Sequence, residues 1–91
     1  MRLIRTSRFT KQASKLVKNN NSLKEKLGTT LTKLSGNLFD PSLFTHKLKG
    51  ELEGRYSARL TYEYRVVFKI VKEDNEDCIL LLDIGTHDEV Y

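Results

Sequence analysis

The 91-residue sequence predicts an α+β domain: an N-terminal strand and a two-helix hairpin packed on one face of an antiparallel sheet. Three observations predict it. Between residues 7 and 36 two apolar stripes recur at helical spacing, Phe9, Ala13, Leu16 and Val17, then Leu23, Leu27, Leu31 and Leu34. From residue 55 onward the period changes to two, as half-buried strands require. Breakers sit at the joints: Asn19-Asn20-Asn21, Gly36, Asp40-Pro41, Gly50 and Gly54.

Each element follows from local chemistry. Arg2 to Thr6 is a short strand candidate, and the Thr6 or Ser7 hydroxyl can cap the first helix by accepting an orphan N–H of its first turn. Lys11, Lys15 and Lys18 lie mostly off the apolar stripe, as a solvated face would. The asparagine run ends this helix, and Ser22 can cap the second, which Gly28 weakens and Gly36 stops. Asp40-Pro41 marks a turn, Phe44 to Leu48 is expected to be extended, and Gly50 and Gly54 bound a loop. Three strands follow at about 55–60, 63–71 and 78–85, with the acidic turn 73–77 between the last two.

Composition bounds the function classes. The chain is 38% hydrophobic and 31% charged with one proline, the balance of a folded domain, and its length suits a single one. No apolar run reaches a membrane-spanning length, the first residues lack the apolar region of a signal peptide, and a cytoplasmic location is expected. The lone Cys78 edges an apolar run and reads as a small buried thiol. Two histidines and one thiol without ligand spacing predict no metal site, and no glycine-rich phosphate loop or cofactor motif is present. Residues 1–49 carry eleven Lys or Arg against two acids, a net +9, and residues 50–91 a net −5. Such a basic half suits a polyanion or an acidic partner, although a solvated lysine face would look the same.

Strand phase sharpens the picture. Residues 55–60 have Tyr56, Ala58 and Leu60 on one side and Arg55, Ser57 and Arg59 on the other; residues 63–71 have Tyr64, Val66, Phe68 and Ile70 against Glu63, Arg65, Val67 and Lys69. Cross-strand partners share a face, so Leu60 should oppose Tyr64 across a three-residue connection, with Arg59 opposite Arg65. Placing Leu80, Leu82 and Ile84 on the core face leaves Asp83, Gly85 and His87 to continue the arginine face. Two facing arginines suit a bound anion, whose oxygens match guanidinium donors in pairs. Neutralisation by Glu63 or Asp83 is equally open at this point. His46 and His87 can exchange a proton near neutral pH, Lys47 and Lys49 alternate about Leu48, and Tyr91 can stack or orient a phosphate.

The run HKLKGELEGRYSARLTYEYRVVFKI, followed by an apolar strand and IGTHDEVY, resembles the RelE/ParE superfamily of bacterial type II toxins, nearest its RelE, YafQ and YoeB branch. The likeness is good from about Phe39 to Tyr91, and in the two-helix half it is one of pattern only. It implies a RelE-like curved sheet carrying an N-terminal helical hairpin. It also implies ribosome-dependent cutting of mRNA, without metal or cofactor, by attack of a 2′-OH on its adjacent phosphate. The partners implied are a cognate antitoxin, the ribosome and mRNA, and no membrane.

The same resemblance assigns site residues. Arg59 and Arg65 would clamp the phosphate, His87 would be the general acid and Tyr91 would orient the substrate. His46 or Glu63 would be the base, and Lys47, Lys49 and Arg55 would contact RNA. The sheet arginine at position 59 is YoeB-like whereas His46 is YafQ-like, so the base stays a choice of two. The competing readings are a ParE-like gyrase inhibitor, which generally lacks the histidine, and a non-catalytic basic RNA-binding module.

Overall fold

The computed structural model describes residues 1–91. In chain order it contains strand β1 (Arg2–Arg5), helices α1 (Ser7–Val17) and α2 (Asn21–Gly36), a 3-10 turn (Pro41–Leu43), β2 (His46–Lys47) and a second 3-10 turn (Gly50–Leu52). Strands β3 (Tyr56–Arg59), β4 (Tyr64–Glu73) and β5 (Glu76–Thr86) follow, then the single-turn helix α3 (His87–Val90). No helix is long and apolar enough to cross a membrane.

The five strands lie in the order β1-β5-β4-β3-β2. All neighbours are antiparallel except β1, which runs parallel to β5 with Arg2 opposite Cys78 and Arg5 opposite Leu81. The sheet is therefore mixed, not wholly antiparallel as expected. Side-chain alternation is the same for either direction, so nothing in a four-residue strand reveals which way its partner runs.

Capping sets the helix starts. Thr6 accepts the Phe9 N–H at 3.1 Å, as its hydroxyl allows, and donates to the Leu81 carbonyl at 2.8 Å, tying α1 to β5. The second helix begins one residue before Ser22 because Asn20, not Ser22, is its cap and accepts the Leu23 N–H at 3.0 Å. Asn19, with φ of 60°, provides the reversal between the helices.

The helices cover one face of the sheet. Phe9, Leu23, Leu27, Leu31 and Leu34 pack with Ala58, Val66, Phe68, Ile79, Leu81 and Ile84 in one apolar cluster. Burial of these side chains, at roughly 1.5–3 kcal/mol each, supplies most of the drive for folding. Cys78 is fully buried, as its position in an apolar run predicted.

Three sequence readings change in the sheet. The five-residue acidic turn shrinks to Asp74-Asn75, both left-handed (φ 52° and 64°), so β4 and β5 run further than expected. Phe44 to Leu48 pairs only at His46 and Lys47, where β3 offers an edge. Finally, Val67 faces Asp83 while Phe68 faces Leu81, which makes Leu82 the extra residue of a β-bulge. The bulge reverses the phase: Ile79 and Leu81 enter the core instead of Leu80 and Leu82, and Ile84 remains there.

Candidate functional site

The face opposite the helices is built from two rows of cross-strand neighbours. His46, Ser57, Val67 and Asp83 form one row; Arg59, Arg65 and Gly85 form the next, towards the β3–β4 turn. The expected opposition of Arg59 and Arg65 is present, and the Leu60 N–H donates to the Tyr64 carbonyl at 3.0 Å across the three-residue connection.

Neither arginine has a carboxylate partner. Asp83 bonds Arg8 at 3.3 Å, and Glu63 forms no ion pair. Arg65 turns one guanidinium nitrogen, Nη1, onto the carbonyls of Thr61, Tyr62 and Tyr64 at 2.7, 2.9 and 3.2 Å. Its other nitrogens keep their donors free. Arg59 lays its guanidinium over the Phe44 ring, 4.0 Å from the centroid, while its buried Nε has no partner. An aromatic face holds a cation without neutralising it, and backbone carbonyls anchor one without adding a formal charge. Both arginines are thus positioned while retaining their charge.

The C-terminal segment closes on the same face. His87 does not continue β5 but opens α3, because Thr86 and Glu89 form a reciprocal capping box. The pattern Thr86-His87-Asp88-Glu89 carries that signal in the sequence. The Thr86 N–H donates to the Glu89 carboxylate at 2.8 Å, and this bond, first among its causes, holds Glu89 below the usual carboxylate range. Gly85 makes the fit possible: a Cβ there would lie 3.1–3.3 Å from Glu89 and Val90. Val90 then packs with Leu48 and Val67, with Leu52 alongside, in a second small apolar cluster.

From this turn the Tyr91 hydroxyl donates to Ser57, whose side chain is fully buried. The exposed His87 ring meets the Tyr91 ring edge-on at 4.3 Å. The sequence reading did not single out Ser57; its signal is a small polar residue in phase with Arg59, two positions away.

The remaining candidates divide. His46 is exposed beside Ser57, and its Nδ1 is 3.1 Å from the Phe44 carbonyl. A carbonyl only accepts, so in the neutral ring Nδ1 carries the proton and Nε2 is the basic nitrogen. Tyr64 pairs with Thr86, the last pair of β4 and β5 at this end, and just beyond it Glu63 is exposed in the turn and His87 opens α3. Lys47 pairs with Tyr56 and so points to the opposite face from His46. Lys47, Lys49 and Arg55 instead line a cavity of about 630 Å³ around Gly50 and Gly54. Gly54, at φ of 90°, turns the chain there in a region other residues avoid. The structure therefore groups Arg59, Arg65, His46, His87 and Tyr91 on one face and gathers the three basic side chains at the sheet edge. No three His, Cys, Asp or Glu side chains converge as a metal site.

No family model matches the sequence, and no curated protein matches it. Solved structures do. A YoeB/ParE toxin from Agrobacterium tumefaciens superimposes with a TM-score of 0.80 at 21% identity, over 96% of this chain and 99% of that one. YafQ from E. coli gives 0.79 at 18% identity over 100% and 99%. The toxin–antitoxin heterotetramer of YoeB and YefM from Staphylococcus aureus gives 0.74 at 22% over 96% and 97%. The element order, the helical hairpin on one sheet face and the C-terminal turn on the other together identify the architecture: this chain has the RelE/YafQ/YoeB-like toxin fold.

Proposed function

We propose that this chain acts as a single RelE-like domain, the toxin of a toxin–antitoxin module, and that it cuts mRNA on the ribosome in the cytoplasm. The observation that carries the reading is the facing pair Arg59 and Arg65, charged, anchored and free of carboxylates, beside His87 and Tyr91. Such a pair suits the pentacoordinate phosphate through which RNA cleavage by its own 2′-OH proceeds.

In this mechanism the base takes the proton of the 2′-OH, whose oxygen bonds to phosphorus as the bond to the 5′-oxygen breaks. His87 protonates that leaving oxygen, and the products are a 2′,3′-cyclic phosphate and a 5′-OH. The free Nε2 of His46 suits it to the role of base, with Glu63 as the rival group. Arg59 and Arg65 bear the developing charge, Tyr91 orients the strand, and Lys47, Lys49 and Arg55 grip its phosphates. The antitoxin assignment draws on the S. aureus neighbour, itself a toxin–antitoxin complex.

The test is expression in cells with mapping of mRNA 5′ ends, beside His87→Ala and Arg65→Ala. Growth arrest with new in-frame cuts that His87→Ala largely abolishes is the expected result. Arrest with intact mRNA and damaged DNA would replace this reading with gyrase inhibition, and no arrest with RNA still bound would leave a non-catalytic RNA-binding module. A His46→Ala and Glu63→Gln pair identifies the base by which change removes cutting.

A further inference from the structure

A second cleft lies beyond the arginine pair, where α2, the Pro41–Leu43 turn and the β3–β4 turn meet. Its volume is about 380 Å³. Lys26, Lys33 and Arg59 line it, together with the hydroxyl of Ser42, and no carboxylate does. Asp40 stands behind Ser42, with its carboxylate engaged by the Ser42 hydroxyl and N–H at 2.6 and 2.9 Å.

Two aromatic rings flank the cleft and face solvent. Tyr62 is 84% exposed and Phe44 58%. Neither exposure is left to a floppy loop. The turn bearing Tyr62 is pinned through its own carbonyl and that of Thr61 by Arg65. Phe44 is held left-handed, φ of 49°, a conformation that bulky side chains rarely adopt, and its ring lies under the Arg59 guanidinium. The unpartnered buried Nε of Arg59 is in the same place. Three cations, with Asp40 behind them held by Ser42, which also accepts from Lys33 Nζ at 3.1 Å, stand beside fixed and exposed aromatic rings, a pattern that holds single-stranded nucleic acid.

We infer that this cleft holds the nucleotide next to the phosphate at Arg59 and Arg65 in a single RNA strand. Its base stacks on Tyr62, the Phe44–Arg59 pair forms the facing wall, and its phosphate sits on Lys26 and Lys33. The inference rests on the proposed action on RNA and extends it, since it adds a subsite beside α2 that shares Arg59 with the face already described. Phe44 is then a positioning residue: it places Arg59 between the two nucleotides.

The test separates binding from cutting by using a 2′-O-methyl hexanucleotide, which has no 2′-OH to attack. It is titrated into isotopically labelled protein and followed by amide chemical shifts, which register even millimolar affinity. Tyr62→Ala should raise Kd roughly fivefold or more, as should Phe44→Leu, while Phe44→Tyr restores affinity because the ring remains. Lys33→Gln should lower the slope of log Kd against log salt by about 0.7, the value for one phosphate contact on a single strand. Lys15→Gln on α1 removes the same charge outside the cleft and should change nothing. The inference is overturned if the parent protein does not bind, if Tyr62→Ala and Phe44→Leu bind like the parent, or if Lys15→Gln weakens binding as much as Lys33→Gln. Cleft-dependent binding without mRNA cutting in cells would refute the nuclease reading alone; cutting with cleft-independent binding would refute the cleft alone.

Discussion

Arg59 and Arg65 stand directly opposite each other across β3 and β4, and each is held by something other than an acid, Arg59 by the Phe44 ring and Arg65 by three backbone carbonyls. Two like charges side by side cost stability that an anion between them would restore.

This difference in anchoring separates the two positions in stability. Arg65→Ala breaks its bonds to the turn and should cost about 1.5 kcal/mol, within the range for hydrogen bonds from a charged donor. Arg59→Ala loses one partly buried cation–π contact but also the repulsion and an unpartnered buried donor, so its change should stay within about 0.5 kcal/mol. Urea unfolding checks both. On the proposed mechanism both variants lose mRNA cutting, which shows in the same 5′-end maps.

The seat of α3 predicts a local effect at Gly85. Gly85→Ala sets a methyl group against Glu89 and Val90, so the C-terminal turn must shift while the main core is untouched. Faster amide exchange confined to residues 86–91 and a loss of the His87–Tyr91 ring contact in NMR spectra are expected. Exchange that rises throughout β4 and β5 would mean that the turn is part of the global fold.

Acid should loosen the same turn. The Glu89 carboxyl in the folded chain lies below its ordinary value of 4.5, so its bond to Thr86 stabilises the turn fully above that value. The contribution is lost as pH falls through the lowered folded value. The His87–Tyr91 contact should therefore persist through the ordinary glutamate range and fade only at pH below it. Glu89→Gln should remove that dependence. A contact that fades between pH 7 and 5 in the parent would assign the effect to a histidine instead.

The β4–β5 turn offers a stabilising change. Asp74 and Asn75 both hold left-handed backbone, which glycine adopts freely. Asn75→Gly should raise stability by up to about 0.5 kcal/mol, and Asn75→Val should lower it by about 1–2 kcal/mol. Thermal unfolding of the two variants reads the difference.

The sequence exposed some of these relationships and hid others for definable reasons. The facing of Arg59 and Arg65 was legible because polar and apolar residues alternate cleanly on both strands. The bulge at Leu82 was not, because Ile79, Leu80, Leu81 and Leu82 are all apolar and carry no phase. Ser22 and Asn20 are comparable caps, so the start of α2 could not be settled from composition. The helical turn at His87 was written in the Thr86–Glu89 spacing, but the strand phase running through Gly85 pointed the other way. Phe44 gave no sign, since its role depends on a left-handed backbone and a partner fifteen residues away.

The parallel pairing of β1 with β5 places residues 2–5 against residues 78–81. Strand β1 therefore waits for β5, across a closure far longer than any turn in the chain. Until β5 emerges, the apolar stripes of α1 and α2 have no complete sheet beneath them, and the face bearing the arginines has no His87 or Tyr91 above it. On the proposed function, a copy whose β5 has not yet emerged therefore has only part of its cutting face.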